Sequence, residues 1–185
     1  EKSINIYFHL INSLYQFPDS LITDLKDRFV FNERLNRLYE ILTNRNQIKS
    51  QSPQALWSEL SKICKQNKGG NFDNNTGQYV DLLVDGLVLH GDEIKHKVIM
   101  SLSQETTDYL FELYMVQIAG RLKIQESIPY LFRILIDSDF MDLVNGECTT
   151  ALGKIGGYGV VSHVEVLYPE HEHLRAQFAS ILKWV

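Results

Sequence analysis

Apolar residues recur every three or four positions from residue 4 to residue 182, the spacing that places them on one face of an α-helix. The stripe Ile128, Leu131, Ile134 and Leu135 is one example. Breaks rich in Gly, Pro, Asn, Asp and Ser separate the stripes, as expected of turns between helices. The pattern predicts an all-α protein of about nine or ten helices.

Two segments indicate how the chain is organised. Ser52-Pro53 predicts a helix start, because Ser is a favoured N-cap and Pro fits the first helical position. The segment 69–77 is the longest break, rich in Gly and Asn, and the helical pattern resumes after it at Tyr79. We therefore expect an N-terminal helical region, or degenerate repeats, over 1–68 and helical repeats over 78–185, the last of them incomplete.

Polar residues in front of two later stripes predict further helix starts. Ser103 or Thr106 is expected to cap the helix that runs to Leu122. The turn Asp137-Ser138-Asp139 is expected to supply the cap of the helix whose apolar face begins at Met141. Both helices belong to the C-terminal half of the chain.

The apolar pattern repeats itself in that half. The offset that places Gly120 on Gly153 also places Leu131 on Val164. We interpret both glycines as helix stops, the second one reinforced by Gly156-Gly157. The last helix matches at a slightly shorter offset, with Val144 on Leu174, Cys148 on Phe178 and Leu152 on Leu182. A two-helix unit of roughly 30 residues is typical of a solenoid, in which each unit buries its apolar face against its neighbours.

These residues resemble short HEAT-like repeats of the phycobilisome-lyase type. The shared features are an acidic turn, Asp137-Ser138-Asp139, a helix ending Ala151-Leu152-Gly153-Lys154-Ile155-Gly156, and a following helix of the form Val160-Val161-x-x-Val164. The resemblance covers about residues 110–185. It implies an all-α fold in which helical hairpins form a right-handed α-α superhelix, a HEAT-like solenoid.

The resemblance implies a fold and no particular reaction. Most such proteins look like scaffolds that bind other proteins on a concave surface, whereas some act on chromophores as lyases or isomerases. A related alkylpurine DNA glycosylase grips DNA in a basic groove, and its residue set has no counterpart here. We expect a non-catalytic protein-binding scaffold without a cofactor. The alternative is an enzyme or nucleic-acid-acting protein built on the same scaffold.

Charge is distributed unevenly along the chain. The net charge is −5, and residues 105–185 supply all of it with 6 basic and 11 acidic residues. A nucleic-acid-binding surface normally carries an excess of Lys and Arg that neutralises phosphates. The repeat half has the opposite balance, which favours a protein partner with a basic surface over nucleic acid.

The residues with catalytic or metal-binding potential have simpler explanations. His171-Glu172-His173 is the densest group of potential metal ligands, but side chains at i and i+2 do not face each other on a helix. Cys148 lies on an apolar stripe, which favours a core position over a nucleophile. Cys64 is expected to be a second free, buried thiol. We expect no catalytic residue and no metal site.

Partner contact is expected at polar positions near the starts and turns of the repeat helices. The candidates are Asp139, Asp142, Asn145, Glu147, His171 and Arg175. Self-association through an apolar edge at the end of the array is a further interpretation.

No apolar run approaches the roughly 20 residues of a membrane span, and no signal-peptide pattern opens the chain. These features predict a soluble, cytoplasmic protein that does not bind membranes. The missing initiator Met and a helical pattern that continues to Trp184-Val185 are typical of a fragment of a longer protein.

Overall fold

A computed structural model describes residues 47–48, 50–67, 72–104, 108–139 and 141–185. Backbone contacts divide the chain into two units, Glu1–Ser50 and Gln51–Val185. The helices predicted before residue 47 lie outside the described residues. Every regular element within the described ranges is helical, which confirms the all-α prediction for this part of the chain.

The second unit contains eight α-helices in its described residues. They are α1 Pro53–Gln66, α2 Asn74–Leu89, α3 Asp92–Ser103, α4 Tyr109–Arg121, α5 Ile128–Asp137, α6 Leu143–Ile155, α7 Tyr158–Leu167 and α8 Arg175–Leu182. Short 3-10 helices, Gln125–Ser127 and Glu172–Leu174, precede α5 and α8. Among these described helices, none has the length and the apolar character needed to cross a membrane.

Side-chain caps explain where the first two helices begin. The Oγ atom of Ser52 accepts a hydrogen bond from the Ala55 N–H at 3.2 Å, and Pro53 occupies the first helical position, as predicted. Asp73 caps α2 by accepting from the Thr76 N–H at 2.7 Å. α2 therefore begins inside the predicted break over 69–77, ahead of Tyr79.

Two predicted caps are wrong. Asp108, and not Ser103, caps α4, because its carboxylate accepts from the Phe111 N–H at 3.2 Å. Ser103 is the last residue of α3, and Thr106 lies outside the described residues. Asp142, and not a residue of Asp137-Ser138-Asp139, is the N-cap of α6, so this helix begins after Met141.

Helices pack in adjacent pairs and also two steps along the chain. α1 packs against α2, α3 against α4 and α5 against α6. α2, α4, α6 and α8 also contact one another in that order, as do α3, α5 and α7. α4 and α6 share the most extensive interface, so α4 is covered on most sides. Its buried residues are Leu110, Leu113, Tyr114, Met115, Val116, Ile118, Ala119 and Gly120.

The two glycines of the sequence repeat lie inside helices. Gly120 is in the last turn of α4 and Gly153 in the last turn of α6, so their interpretation as helix stops is wrong. Both instead allow a close contact. A Cβ atom on Gly120 would lie 2.6 Å from the Cα atom of Ala151, and one on Gly153 would lie 3.0 Å from Cδ1 of Trp184. The contact between Gly153 and Trp184 therefore corresponds to the contact between Gly120 and Ala151 in the preceding repeat.

The chain turns after α2, α4 and α6 with left-handed backbone. Gly91, Lys123 and Gly156 have φ values of 45°, 50° and 60°, and the three positions recur at nearly equal intervals along the chain. Gly157, with φ of 82°, precedes α7, so Gly156-Gly157 is the predicted end of α6. The left-handed turns therefore recur at nearly the same interval as the apolar pattern of the sequence.

Candidate interaction surface

The turn between α5 and α6 presents two of the predicted contact residues to solvent. Asp139 and Asp142 are both exposed. The Asp142 N–H donates to the Asp139 carbonyl oxygen at 2.9 Å, which closes the turn. Asp142 then leads into α6. Both acidic residues thus lie on one exposed turn.

Two large apolar side chains share this turn with the carboxylates. Met141 is 86% exposed and Leu143 is 69% exposed. The sequence pattern placed Met141 on the apolar face of a helix, which is wrong because α6 begins only at Leu143. We name Asp139, Met141, Asp142 and Leu143 the turn surface. Many protein-binding sites combine exposed apolar residues with a charged border.

Buried hydrogen bonds hold this turn from inside. The Nδ2 group of Asn145 donates to the Leu135 carbonyl oxygen at 3.2 Å and to Oγ of Ser138 at 3.3 Å. The Tyr109 hydroxyl accepts from the Val144 N–H at 3.3 Å. Asn145 is only 2% exposed, so it supports the turn and is not accessible to a partner. A turn anchored on both sides loses little conformational entropy on binding.

Asn145 also links α6 to α8. The Nε2 group of Gln177 donates to Oδ1 of Asn145 at 3.2 Å, and both residues are buried. The Oε1 atom of Gln177 is buried without a hydrogen-bond partner among the described residues. One amide side chain therefore connects three helices, α5, α6 and α8.

The other predicted contact residues near the chain's end form a separate group at the start of α8. Arg175 pairs with Glu172 at 2.7 Å, and its guanidinium lies over the Tyr168 ring at 5.4 Å from the centroid. His171 is partly buried, with its ring edge-on to His173 at 5.8 Å. The charge of Arg175 is thus already paired within the chain.

Glu147 lies partly buried on α6 beside Cys148. Burial raises the pKa of the Cys148 thiol far above its ordinary range, and the charges of Glu112 and Glu147 add to that effect. Burial likewise raises the pKa of Cys64 from 9.0 to about 12. Both thiols are free and buried, as predicted, and neither is an accessible nucleophile.

Glu112 of α4 is influenced by two charged residues of α5. Burial raises the pKa of the Glu112 carboxyl, the Arg133 charge opposes this shift, and the Asp137 charge adds to it. The guanidinium of Arg133 donates to the carbonyl oxygens of Leu102 and Ser103 at 2.7 and 3.4 Å. Arg133 therefore interacts favourably with the C-terminal end of α3 and with the charge of the Glu112 carboxylate.

Within the described ranges, no group of three or more His, Cys, Asp or Glu residues is placed to hold a metal ion. His171 and His173 therefore have no third ligand in this part of the chain. Comparisons with known proteins give no match, whether to a protein-family model, to a curated protein or to a solved structure.

Proposed function

We propose that the protein is a non-catalytic binding module whose turn surface contacts a protein partner that carries basic and apolar residues. The observation that carries the proposal is the exposure of Met141 and Leu143, 86% and 69%, on the same turn as Asp139 and Asp142. Full burial of a Leu or Met side chain against a partner contributes about 1.5–3 kcal/mol, because apolar surface is removed from water. The two carboxylates would select a partner with Lys or Arg beside its apolar residues.

We further propose that Gln51–Val185 is an array of HEAT-like hairpins wound into a right-handed superhelix. Contacts between α2, α4, α6 and α8, and between α3, α5 and α7, support this arrangement. The nearly equal spacing of the left-handed turns at Gly91, Lys123 and Gly156 supports a repeated hairpin. In such an array, equivalent turns lie along one edge, so the turn surface would be one of several aligned turns.

The charge balance supports a protein partner over nucleic acid. Residues 105–185 contain 6 basic and 11 acidic residues. Three of the six are engaged within the chain: Arg121 pairs with Asp85, Arg175 pairs with Glu172, and Arg133 binds carbonyl groups. A surface that binds phosphates needs several unpaired cations close together.

Selection from a displayed library of random peptides tests the proposed function without knowledge of the natural partner. The wild-type protein would be immobilised, and enriched peptides would be measured by fluorescence anisotropy. We expect enriched peptides to contain Lys or Arg next to Leu, Phe or Trp. They should bind wild type about tenfold or more tightly than the double variants Met141→Ser/Leu143→Ser and Asp139→Asn/Asp142→Asn. Asn at position 142 keeps a favoured N-cap residue, so α6 should remain intact.

Matched controls separate this surface from general stickiness and net charge. Leu89→Ser/Met100→Ser removes two other apolar residues that are 57% and 46% exposed. Glu93→Gln/Glu126→Gln removes two other exposed carboxylates. Both controls should bind the peptides as wild type does. Failure to enrich any peptide, or equal binding to all four variants, would overturn the proposal.

A further inference from the structure

Helices α5 and α7 enclose a pocket of about 480 Å³ that is separate from the turn surface. Phe132 and Ile136 of α5 and Val166 and Leu167 of α7 make most of its lining apolar. Its volume is within the usual range of roughly 300–1,000 Å³ for sites that hold small organic groups. Val166 is 71% exposed, so the pocket is accessible from solvent.

The floor of the pocket is a stacked pair of rings. The His163 ring lies parallel to the Phe132 ring, with centroids 5.4 Å apart and an interplanar angle of 6°. Phe132 is only 2% exposed, so the accessible part of the pair belongs to His163. Nδ1 of His163 lies 2.8 Å from the Gly159 carbonyl oxygen, which fixes the ring orientation. A fixed, accessible ring is suited to stacking with a second flat ring.

The polar side of the pocket carries one carboxylate, Asp137, and one guanidinium, Arg133. Glu112 is close enough for its pKa to respond to both. The Arg133 guanidinium is already bound to the Leu102 and Ser103 carbonyl oxygens. Asp137 is exposed and has no salt bridge to another described residue. Because the Arg133 guanidinium is bound to carbonyl oxygens, the exposed Asp137 carboxylate is the charged group that a ligand would meet, and it favours a cationic ligand.

We propose that the α5–α7 pocket receives an aromatic side chain of the protein partner, stacked on His163, with an adjacent Lys or Arg of that partner against Asp137. The inference rests on the proposed function only in assigning the occupant to a protein. Asp137 is the last residue of α5 and the turn surface follows it directly in the chain. One partner segment can therefore occupy both sites.

Small aromatic probes test the pocket independently of any peptide selection. Tryptamine carries an ammonium group beside an indole, and indole-3-propionate carries a carboxylate instead. Each would be titrated into ¹⁵N-labelled protein while the amide chemical shifts of α5 and α7 are followed. We expect saturable shifts at Ser162, His163 and Val166, and binding of tryptamine about tenfold tighter than that of indole-3-propionate. Equal affinities, no saturation, or shifts confined to other helices would overturn the proposal that this pocket binds an aromatic group beside a cation.

Three variants connect the binding to the proposed geometry. Val166→Trp places a large ring at the exposed edge of the pocket and should abolish the tryptamine shifts, while circular dichroism verifies the fold. Asp137→Asn should remove the preference for tryptamine over indole-3-propionate. Glu165→Gln removes an exposed neighbouring carboxylate on α7 and should leave both affinities within about twofold. Unchanged binding by Val166→Trp or Asp137→Asn would contradict the assignment.

Two short peptides decide whether the occupant belongs to a protein. A capped Lys-Trp-Lys peptide should produce the same shifts as tryptamine, whereas capped Lys-Ala-Lys should not. Tryptamine binding without Lys-Trp-Lys binding would overturn the protein occupant and indicate a free aromatic amine. If neither tryptamine nor Lys-Trp-Lys binds, the proposed role of the pocket is overturned, but the peptide selection at the turn surface is unaffected. The two proposals can therefore fail separately.

Discussion

Gly120 of α4 lies directly against Ala151 of α6, and these two helices share the most extensive interface between described helices. A Cβ atom on Gly120 would stand 2.6 Å from the Cα atom of Ala151 and 2.7 Å from its Cβ atom. Contacts this short cannot form, so the α4–α6 distance depends on the missing side chain. Gly120 is therefore a packing residue of the central helix pair.

Gly120→Ala should destabilise the protein although Ala favours helices by about 1 kcal/mol over Gly. The added methyl meets backbone that cannot rotate away, and overpacking of this kind costs about 1–3 kcal/mol. Urea denaturation would measure the loss. Gly146→Ala is the matched control, because it lies in α6, is exposed, and has no atom within 4 Å of an added Cβ. It should stabilise the protein by about 0.5–1 kcal/mol, and a similar gain for Gly120→Ala would contradict the packing role.

Lys123→Gly should stabilise the protein by about 0.5–1 kcal/mol, because left-handed backbone costs an L-residue roughly 1 kcal/mol. Lys123 is the described non-Gly residue with positive φ, 50°. Gly91 and Gly156 occupy the equivalent turns. Lys123→Ala keeps the Cβ atom while it removes the charge, so it should give no gain. If urea denaturation shows that Ala and Gly stabilise equally, charge and not backbone strain explains the effect.

Asn145→Ala should cost about 1–3 kcal/mol, because it leaves the buried groups that Asn145 binds without partners. Gln177→Met should cost less, since Oε1 of Gln177 is already unpaired. A double-mutant cycle measures the link between α6 and α8 directly. We expect a coupling energy of about 0.5–1.5 kcal/mol from the 3.2 Å hydrogen bond. Strictly additive losses would indicate that the two amides do not stabilise each other.

Glu112 should make the protein less stable as the pH rises. Burial raises its folded pKa above the ordinary value of 4.5, so the folded protein retains a proton that the unfolded chain releases. The contribution of Glu112 to the free energy of unfolding is complete below its pKa in the unfolded chain. It is lost as the pH rises through its pKa in the folded protein. Glu112→Gln should therefore gain stability relative to wild type as urea denaturation is repeated from pH 4 toward pH 7. Glu126→Gln, at an exposed site, should show no such trend.

Cys64 and Cys148 should resist thiol reagents until the protein unfolds. Both are fully buried, and a rise in the pKa of Cys64 from 9.0 to about 12 lowers its thiolate fraction about a thousandfold at neutral pH. Labelling with iodoacetamide, followed by mass spectrometry, should be slow in buffer and rapid in denaturing urea. Fast labelling of either residue in buffer would indicate local opening of its helix.

Local sequence signals predicted the helices because they depend on near neighbours. Ser52-Pro53 marks a helix start through contacts within its own first turn, and Gly156-Gly157 ends a helix through its own backbone angles. The offset between Gly120 and Gly153 correctly aligned Leu131 with Val164, which are both buried. The shorter offset placed Leu182 on the buried Leu152, but Leu182 is 42% exposed and Ile181 takes the buried position.

The candidate surface was harder to predict because long-range contacts determine it. Asn145 is polar and was expected at the surface, yet its partner Gln177 lies on a different helix, far along the chain. Gly120 was interpreted as a helix stop because nothing nearby in sequence indicates Ala151. Asp139 and Asp142 are equally acceptable caps by residue type, and the choice between them decides whether Met141 is buried. The partner and any self-association stay predictions.

Hydrogen–deuterium exchange of the protein with and without its tightest selected peptide tests the binding role of the turn surface most directly. We predict that the bound peptide slows amide exchange most in the segment 138–146, which contains the turn surface and the Asn145 anchor. The Met141→Ser/Leu143→Ser variant should show no such protection at the same peptide concentration. Protection confined to α1, α2 and α3, with unchanged exchange at 138–146, would contradict the account.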